Sequence, residues 1–169
     1  MSGARPARIR IGNGFDVHRF SDDPERVLVL GGVAFPDEPG LVGHSDADVI
    51  SHAVSEALLG AAGLGDLGEH FPDSDQTWAG ADSLRLLAEV VRMVASDGWS
   101  AVNVDCSVVA ERPKLAARRN DMQFALSAVV GAPVSIKGRR AEGLGALGRT
   151  EGVACFASAL IERSEEAAL

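Results

Sequence analysis

Several residue types are scarce in this sequence of 169 residues, and their scarcity excludes whole classes of protein. The two cysteines, Cys106 and Cys155, lie far apart in apolar segments, which excludes a structural zinc knot and favours buried free thiols in a reducing compartment. No apolar run approaches the roughly 20 residues of a membrane-spanning helix, and no apolar signal segment follows residues 1–10. We therefore expect a cytoplasmic protein with no membrane partner.

Basic residues are also in the minority. Lysine and arginine total 16 against 24 aspartates and glutamates, so the formal net charge is -8 and the pI is about 4.9. A surface that binds nucleic acid needs an excess of positive charge, so we exclude nucleic acid as a general partner. Any phosphate that the protein binds must be met locally, by a metal ion, a helix terminus or a few basic side chains.

Histidine is scarce as well, and three of the four histidines fall in two short segments. Asp16 and His18 are two residues apart, which places them on one face of a strand. His44, Asp48 and His52 are spaced by four, which places them on one stripe of a helix. Two ligands from a strand and a third from a helix are typical of a catalytic zinc site with an open fourth position. An ordinary exposed Asp-x-His pair beside a surface histidine is an equally good interpretation of the spacing alone.

Hydrophobic periodicity predicts an α+β fold, a mixed β-sheet with helices on one face. The predicted strands are 8–12, 27–33, 102–110, 134–137 and the apolar run 153–161, for which a helix stays open; the predicted helices are 45–62, 83–97 and 113–130. Residues 36–40, 63–80 and 143–152 are predicted loops. We expect a single domain over 8–163 between flexible tails at 1–7 and 164–169. One layer of helices leaves a sheet face uncovered, which favours an oligomer.

Other polar segments favour a phosphorylated, hydroxylated ligand. The acidic loop 63–80 has the length of a functional lid, although a solvated loop has the same composition. The junction 111–114 and the segment 137–143 combine basic residues with proline and glycine, which suits an anion but also describes an ordinary basic turn. Together with the histidines, they predict a metal-assisted reaction on a small phosphorylated molecule.

Five segments, taken together, closely resemble the 2-C-methyl-D-erythritol 2,4-cyclodiphosphate synthase family over residues 8–162. They are GFDVH, GLVGHSDADVISHA, LLGAAGLGDLGEHFPDSD, NVDCSVVAERPKL and EGLGALGRTEG. The resemblance implies a homotrimer around a three-fold axis with active sites between subunits. It also implies a phosphorus–oxygen lyase of the non-mevalonate isoprenoid pathway. That enzyme converts 4-diphosphocytidyl-2-C-methyl-D-erythritol 2-phosphate to 2-C-methyl-D-erythritol 2,4-cyclodiphosphate and CMP.

The resemblance also implies the roles of individual residues. Asp16, His18 and His52 hold one Zn²⁺, with a substrate phosphate at the fourth position, and Glu142 holds a Mg²⁺ or Mn²⁺ on the diphosphate. The catalytic residues are His44 and Arg140, and Arg140 stands where the family usually has threonine. Asp48 is expected to brace a histidine by a hydrogen bond.

The implied substrate contacts cover several further segments. They are Asp16, Val17 and His18 at the metal; His44 and Ser45 at phosphate; Asp66, Leu67 and Gly68 at ribose; Phe71, Pro72, Asp73, Ser74 and Asp75 in the lid; Ala110, Glu111, Arg112, Pro113, Lys114, Leu115 and Ala116 at cytosine; Arg139, Arg140, Ala141 and Glu142 at the diphosphate; and Ala146 and Arg149. Ala146 and Arg149 join Phe15 in lining an axial cavity in which some relatives bind an isoprenoid diphosphate.

Two alternative functions stay open. A zinc-dependent phosphohydrolase with the same metal ligands would release orthophosphate instead of a cyclic product. A non-catalytic relative that binds isoprenoid diphosphate would bind its ligand without releasing CMP, and the unusual Arg140 favours considering it.

Overall fold

The computed structural model describes residues 8–72, 74–78 and 80–163, which form a mixed α+β fold. The strands are β1 Ile9–Arg19, β2 Val27–Leu30, β3 Val33–Pro39, β4 Trp99–Val109, β5 Val134–Arg139 and β6 Gly152–Arg163. The helices are α1 Val49–Ala62, α2 Leu67–His70, α3 Ser83–Ser96, α4 Arg119–Val130 and α5 Gly145–Gly148, with 3-10 turns at Gln76–Trp78 and Leu115–Ala117. None of the helices in these ranges is long and apolar enough to cross a membrane.

The main sheet has the strand order β1-β6-β4-β5. The pairs β1/β6 and β6/β4 are antiparallel and β4/β5 is parallel, so the predicted mixed sheet is confirmed. Strands β2 and β3 form a separate hairpin. The register pairs His18 with Val153, Ala154 with Val109, and Val109 with Arg139. The C-terminal ends of β1, β4 and β5 therefore lie at the same end of the sheet, next to the predicted functional segments.

Helix α1 lies directly against the backbone of β1 because two inward-facing positions of the strand are glycines. A Cβ at Gly12 would come within 2.1 Å of the Ala57 carbonyl oxygen, and one at Gly14 within 2.0 Å of the Ala53 carbonyl oxygen. No larger residue fits between the two elements without moving one of them. This close approach brings the histidine of α1 next to the Asp-x-His pair of β1.

The helices lie on one face of the sheet, and the opposite face carries exposed apolar side chains. Alternation along β1 turns Ile9, Ile11, Phe15 and Val17 to that face, and Phe156 of β6 joins them. The rings of Phe15 and Phe156 are 4.7 Å apart. We call this surface the open face. The same face also carries the exposed Asn13, between Ile11 and Phe15. Clustered exposed apolar side chains of this kind mark an interaction site.

Several predicted boundaries are wrong. The segment 27–33 turns back through Gly31 and Gly32, both at positive φ, and β3 continues through the predicted loop at 36–40. Helix α4 begins at Arg119 instead of Pro113, after a cis Arg112–Pro113 peptide bond and a 3-10 turn. The run 153–161 is a strand, as favoured, and the two cysteines are free and buried on adjacent strands.

Asp48 is the N-cap of α1 and does not brace a histidine, so that prediction is wrong. Its carboxylate accepts hydrogen bonds from the N–H groups of Gly31 (2.8 Å), Gly32 (2.7 Å), Ile50 (3.1 Å) and Ser51 (3.2 Å), and from the Ser51 hydroxyl. The side chain is fully buried. Asp48 therefore ties the β2–β3 turn to the start of α1, and the helix begins one residue later, at Val49, instead of at Ser45.

Replacing Asp48 with alanine should lower the free energy of unfolding by about 3 kcal/mol or more, because the cap is lost and several buried donors are left without an acceptor. Urea denaturation measures the change. Asp82→Ala is the matched control, since Asp82 also caps a helix, α3, but is exposed. Within the described residues, its carboxylate accepts a hydrogen bond from Leu84 N–H alone. The control should cost about 1 kcal/mol. Equal losses in the two variants would contradict the tying role of Asp48.

Candidate active site

Three side chains converge where α1 crosses the end of β1. Asp16 Oδ2 lies 2.9 Å from His18 Nε2 and 3.0 Å from His52 Nδ1, and the two nitrogens are 3.3 Å apart. Asp16 and His18 share a face of β1, as their spacing predicted, and His52 projects from the second turn of α1. The structure therefore brings together the three residues predicted as metal ligands.

The charges in this cluster are set by the contacts among its members. Burial by itself raises the pKa of the Asp16 carboxyl, but hydrogen bonds from His18 and His52 outweigh it and hold that pKa well below its usual range. Burial by itself lowers the pKa of His18, and the hydrogen bond to Asp16 outweighs it, so that the pKa of His18 is raised. Asp16 is thus an anion at neutral pH, ready to attract a cation.

The three atoms fit a tetrahedral metal ion. Zinc bonds of about 2.0–2.2 Å to nitrogen and oxygen place neighbouring ligand atoms roughly 3.3–3.5 Å apart in a tetrahedron. The observed separations of 2.9, 3.0 and 3.3 Å need to widen only slightly. One carboxylate and two imidazoles are also a ligand set that zinc uses in catalytic sites.

Each histidine is oriented by a partner on its far side. His18 Nδ1 lies 2.7 Å from the Val42 carbonyl oxygen, which can only accept, so this nitrogen carries the proton and Nε2 faces Asp16. His52 Nε2 lies 2.9 Å from Ser83 Oγ, and that hydroxyl donates to Asp46 Oδ1. The acid that braces a histidine is therefore Asp46, acting through Ser83. Both residues were missed, because Ser83 comes from the start of a distant helix.

A cavity of about 220 Å³ opens beside the cluster. It is lined by Phe15, Asp16, His18, Gly43, His44, Ser45, His52, Glu56, Leu67, Gly68, Phe71, Trp78 and Leu86. His44 precedes α1, so it does not belong to the predicted helical stripe. Its Nε2 donates to the Asp75 carbonyl oxygen at 3.2 Å and so contacts the predicted lid. Ser45 Oγ lies 3.2 Å from His52 Nε2.

The wall of this cavity includes residues that the sequence prediction missed, namely Glu56, Trp78 and Leu86. Glu56 follows His52 by four residues on α1, and this spacing could have identified it. Its Oε1 accepts from Leu67 N–H at 2.8 Å. Trp78 packs edge-on against Phe71, with ring centroids 5.0 Å apart. These contacts attach the lid to the cavity wall.

The other predicted ribose and lid residues for which the structure gives a position do not line this cavity. Asp66 caps α2 by accepting from Glu69 N–H at 2.9 Å. Pro72 and Ser74 are exposed outside the cavity lining, and Asp73 lies outside the described residues. Val17 turns to the open face.

A second cavity, of about 390 Å³, lies at the ends of β4 and β5. It is lined by Val108, Ala110, Glu111, Pro113, Lys114, Leu115, Ala116, Arg119, Gly138, Arg139 and Arg140. Most of the predicted cytosine segment is therefore in its wall. Arg112 is not, because its Nε donates to Glu38 at 2.8 Å. The Arg140 guanidinium donates to Glu111 Oε2 through Nε at 2.8 Å and Nη2 at 2.7 Å.

The remaining predicted residues follow β5 in an exposed segment. Ala141 and Glu142 form a turn in which Glu142 has a φ of 53°, and Glu142 does not join the Asp16 cluster. Ala146 lies on α5, and the Arg149 side chain pairs with Glu151 at 2.6 Å.

The two cavities lie at the same end of the strands but beside opposite edge strands of the sheet. The first is beside β1 and the second beside β5, three strand spacings away, which is about 14 Å. A ligand that reaches a metal in the first cavity does not also fill the second cavity of the same subunit unless it spans that distance.

Comparison with known proteins adds to this geometry. The model of the YgbB family matches residues 9–162. The chain belongs to the YgbB family.

Named relatives of this YgbB-family chain agree with the motif resemblance. It is 51% identical over 158 residues to 2-C-methyl-D-erythritol 2,4-cyclodiphosphate synthase of Thermosynechococcus vestitus, covering 92% of this chain and 97% of the relative. It is 54% identical over 154 residues to the Symbiobacterium thermophilum protein of the same name, covering 89% and 97%. Among solved structures, the Plasmodium falciparum IspF CDP complex superposes with a TM-score of 0.81 at 31% identity, covering 94% of this chain and 98% of that one.

Proposed function

We propose that this chain converts 4-diphosphocytidyl-2-C-methyl-D-erythritol 2-phosphate to 2-C-methyl-D-erythritol 2,4-cyclodiphosphate and CMP. The observation that carries the proposal is the Asp16–His18–His52 cluster, which opens into a cavity lined by His44 and Ser45. The synthase relatives, and the CDP complex of a solved relative, support a cytidine-linked substrate. The activity is that of a phosphorus–oxygen lyase in non-mevalonate isoprenoid biosynthesis.

The reaction is an intramolecular phosphoryl transfer. An oxygen of the 2-phosphate attacks the β-phosphorus, a new phosphorus–oxygen bond closes the ring, and CMP leaves with the former bridging oxygen. No water is consumed. Zn²⁺ held by Asp16, His18 and His52 would polarise a phosphoryl oxygen. His44 stands at the cavity wall, where its imidazole can donate to a phosphate oxygen and stabilise developing negative charge.

The rest of the substrate occupies both cavities. Ala110 to Ala116 receive the cytosine, while Asp66 and Gly68 meet the ribose. The described lid residues Phe71, Pro72, Ser74 and Asp75 would cover the methylerythritol unit. Glu142 would hold a Mg²⁺ or Mn²⁺ ion, which would offset negative charge on the diphosphate. The two cavities of one subunit are about 14 Å apart. We propose that the metal cavity of one subunit is completed by the base cavity of a neighbour.

We propose that the open face packs around a three-fold axis to form this homotrimer. Its exposed apolar side chains supply the contact surface. An isoprenoid diphosphate in the axial cavity would meet Phe15 on the open face and the Arg149 side chain.

An assay with the cytidyl substrate and Mg²⁺, with and without a zinc chelator, tests the proposal. We expect CMP without orthophosphate, and loss of CMP formation after chelation. Orthophosphate release would identify a phosphohydrolase instead, and binding without CMP release would identify a non-catalytic relative. A reaction that is insensitive to chelation would contradict the metal assignment.

Arg140 is proposed to donate to the substrate diphosphate while Glu111 holds its other edge. Arg140→Thr should therefore lower kcat about a hundredfold, as loss of one donor to transition-state charge does. Arg92→Thr is the matched control, because the two arginines have similar surroundings. The Arg92 side chain is 68% exposed and paired with Glu89, and the Arg140 side chain is 69% exposed and paired with Glu111. Full turnover by Arg140→Thr would show that the guanidinium has no catalytic role.

A further inference from the structure

Arg26 holds the loop that carries His44 and Ser45. Its Nε donates to the Leu41 carbonyl oxygen, and its Nη2 donates to the carbonyl oxygens of Gly43 (2.9 Å) and Ser45 (2.5 Å). Within the described part of the chain, no carboxylate forms an ion pair with Arg26, so the contacts of its guanidinium are with this loop. The planar guanidinium of Arg26 thus binds the carbonyls of every second residue in the segment 41–45.

The intervening carbonyls of the same loop point the other way. The Val42 carbonyl accepts from His18 Nδ1 at 2.7 Å, and the His44 carbonyl accepts from Gly80 N–H at 2.8 Å. The loop is therefore fixed from behind by Arg26, while its front orients a predicted metal ligand and meets the end of the lid. Loss of the Arg26 hydrogen bonds would therefore let the Val42 carbonyl move, and this carbonyl orients the His18 ring.

The packing between Arg26, the loop and His18 leaves little room for independent movement. A Cβ at Gly40 would come within 2.4 Å of the Arg26 carbonyl oxygen, and one at Gly43 within 3.1 Å of His18 Cε1. The loop backbone is thus in close contact with Arg26 on one side and with the imidazole on the other. A shift of this backbone is transmitted to His18.

We propose that Arg26 is a positioning residue for the metal centre, because it fixes the Val42 carbonyl that holds His18 with Nε2 directed at the Asp16–His52 pair. This inference rests on the metal site of the proposed function. The proposed role of Arg26 predicts weaker zinc binding when its guanidinium is removed. Loss of a partner that orients a metal ligand costs 10- to 100-fold in metal affinity.

Zinc affinity of the folded protein, measured by competition with a chromophoric chelator, tests the role. Arg26→Lys keeps the charge but cannot span three carbonyls, and Arg26→Met removes the charge as well. We expect both to bind zinc 10- to 100-fold more weakly. Removal of a nearby positive charge would by itself favour a cation, so weaker binding by Arg26→Met cannot be a charge effect.

Arg10→Lys and Arg10→Met are the matched controls. Arg10 also donates to a backbone carbonyl, that of Ala62 at 2.9 Å, but it lies eight residues before His18 on the same strand. Both controls should bind zinc like the parent protein. ¹⁵N spectra of the imidazoles should show that the His18 Nδ1 proton exchanges with solvent faster in Arg26→Lys than in the parent protein.

Unchanged zinc affinity in folded Arg26→Lys would overturn the proposal, as would an equal loss in Arg10→Lys. If Arg26→Met does not fold, Arg26→Lys decides, because lysine keeps an aliphatic stem and the positive charge. Zinc binding is measured without substrate, so the test of Arg26 stands even if the parent protein releases no CMP, an outcome that would refute the proposed function alone.

Discussion

Asp16→Asn should lower turnover of the cytidyl substrate by at least about a thousandfold and abolish stoichiometric zinc binding at neutral pH. Asp16 is the one anion in the cluster, and its Oδ2 contacts both histidines. An asparagine removes the charge, and its amide cannot replace a carboxylate as a strong zinc ligand. Because the pKa of Asp16 is held well below its usual range, the parent protein keeps this charge across the neutral range. Zinc content by mass spectrometry and CMP release by chromatography measure the two effects.

The control for this substitution is Asp121→Asn. Asp121 is also hydrogen-bonded to a cationic side chain, Arg118 at 3.0 Å, but it lies on the exposed surface of α4. This control should retain zinc and turnover, because exposed ion pairs contribute little to stability. The described partner of its carboxylate, Arg118, is not a predicted site residue. Retention of both zinc and turnover by Asp16→Asn would exclude this cluster as the metal centre.

The metal cluster could be predicted from the sequence because its geometry depends on short-range periodicity. Two residues of an extended strand that are two apart share a face whatever the strand packs against, so Asp16 and His18 needed no tertiary information. The helical spacing of four placed His44, Asp48 and His52 on one stripe, and the resemblance to the synthase family selected His52 as the third ligand. That spacing holds only inside the helix. The same spacing misplaced His44, because α1 begins after Asp48 and the loop before it is not helical.

Contacts between distant segments could not be predicted in this way. Asp46 and Asp48 are two residues apart in an acidic segment, and the spacing gives no reason to prefer either one as the partner of a histidine. The choice is made by the β2–β3 turn, whose N–H groups bind Asp48, and by Ser83 at the start of α3, which binds Asp46. The role of Arg26 could not be predicted for the same reason, because its acceptors are backbone carbonyls, which have no sequence signature.

The open face is the other feature with a large predicted effect. Ile11 belongs to the open face, is 76% exposed and does not line the metal cavity. Burying such a side chain against a neighbour contributes roughly 1.5–3 kcal/mol, and a trimer gains this three times. A glutamate at the same position would place a buried charge without a partner in each subunit, with three like charges near one axis.

Ile11→Glu is therefore expected to convert the proposed trimer to a folded monomer. It should also reduce CMP formation to background, because each proposed active site needs cavities from two subunits. Sedimentation velocity and the CMP assay measure the two effects together. The matched control is Phe124→Glu, because Phe124 is 78% exposed but lies on α4, away from the open face. It should remain a trimer and remain active. A trimeric Ile11→Glu would exclude the open face as the interface, whereas a fully active monomer would show that one subunit binds the whole substrate and that the 14 Å between its cavities is bridged within the chain.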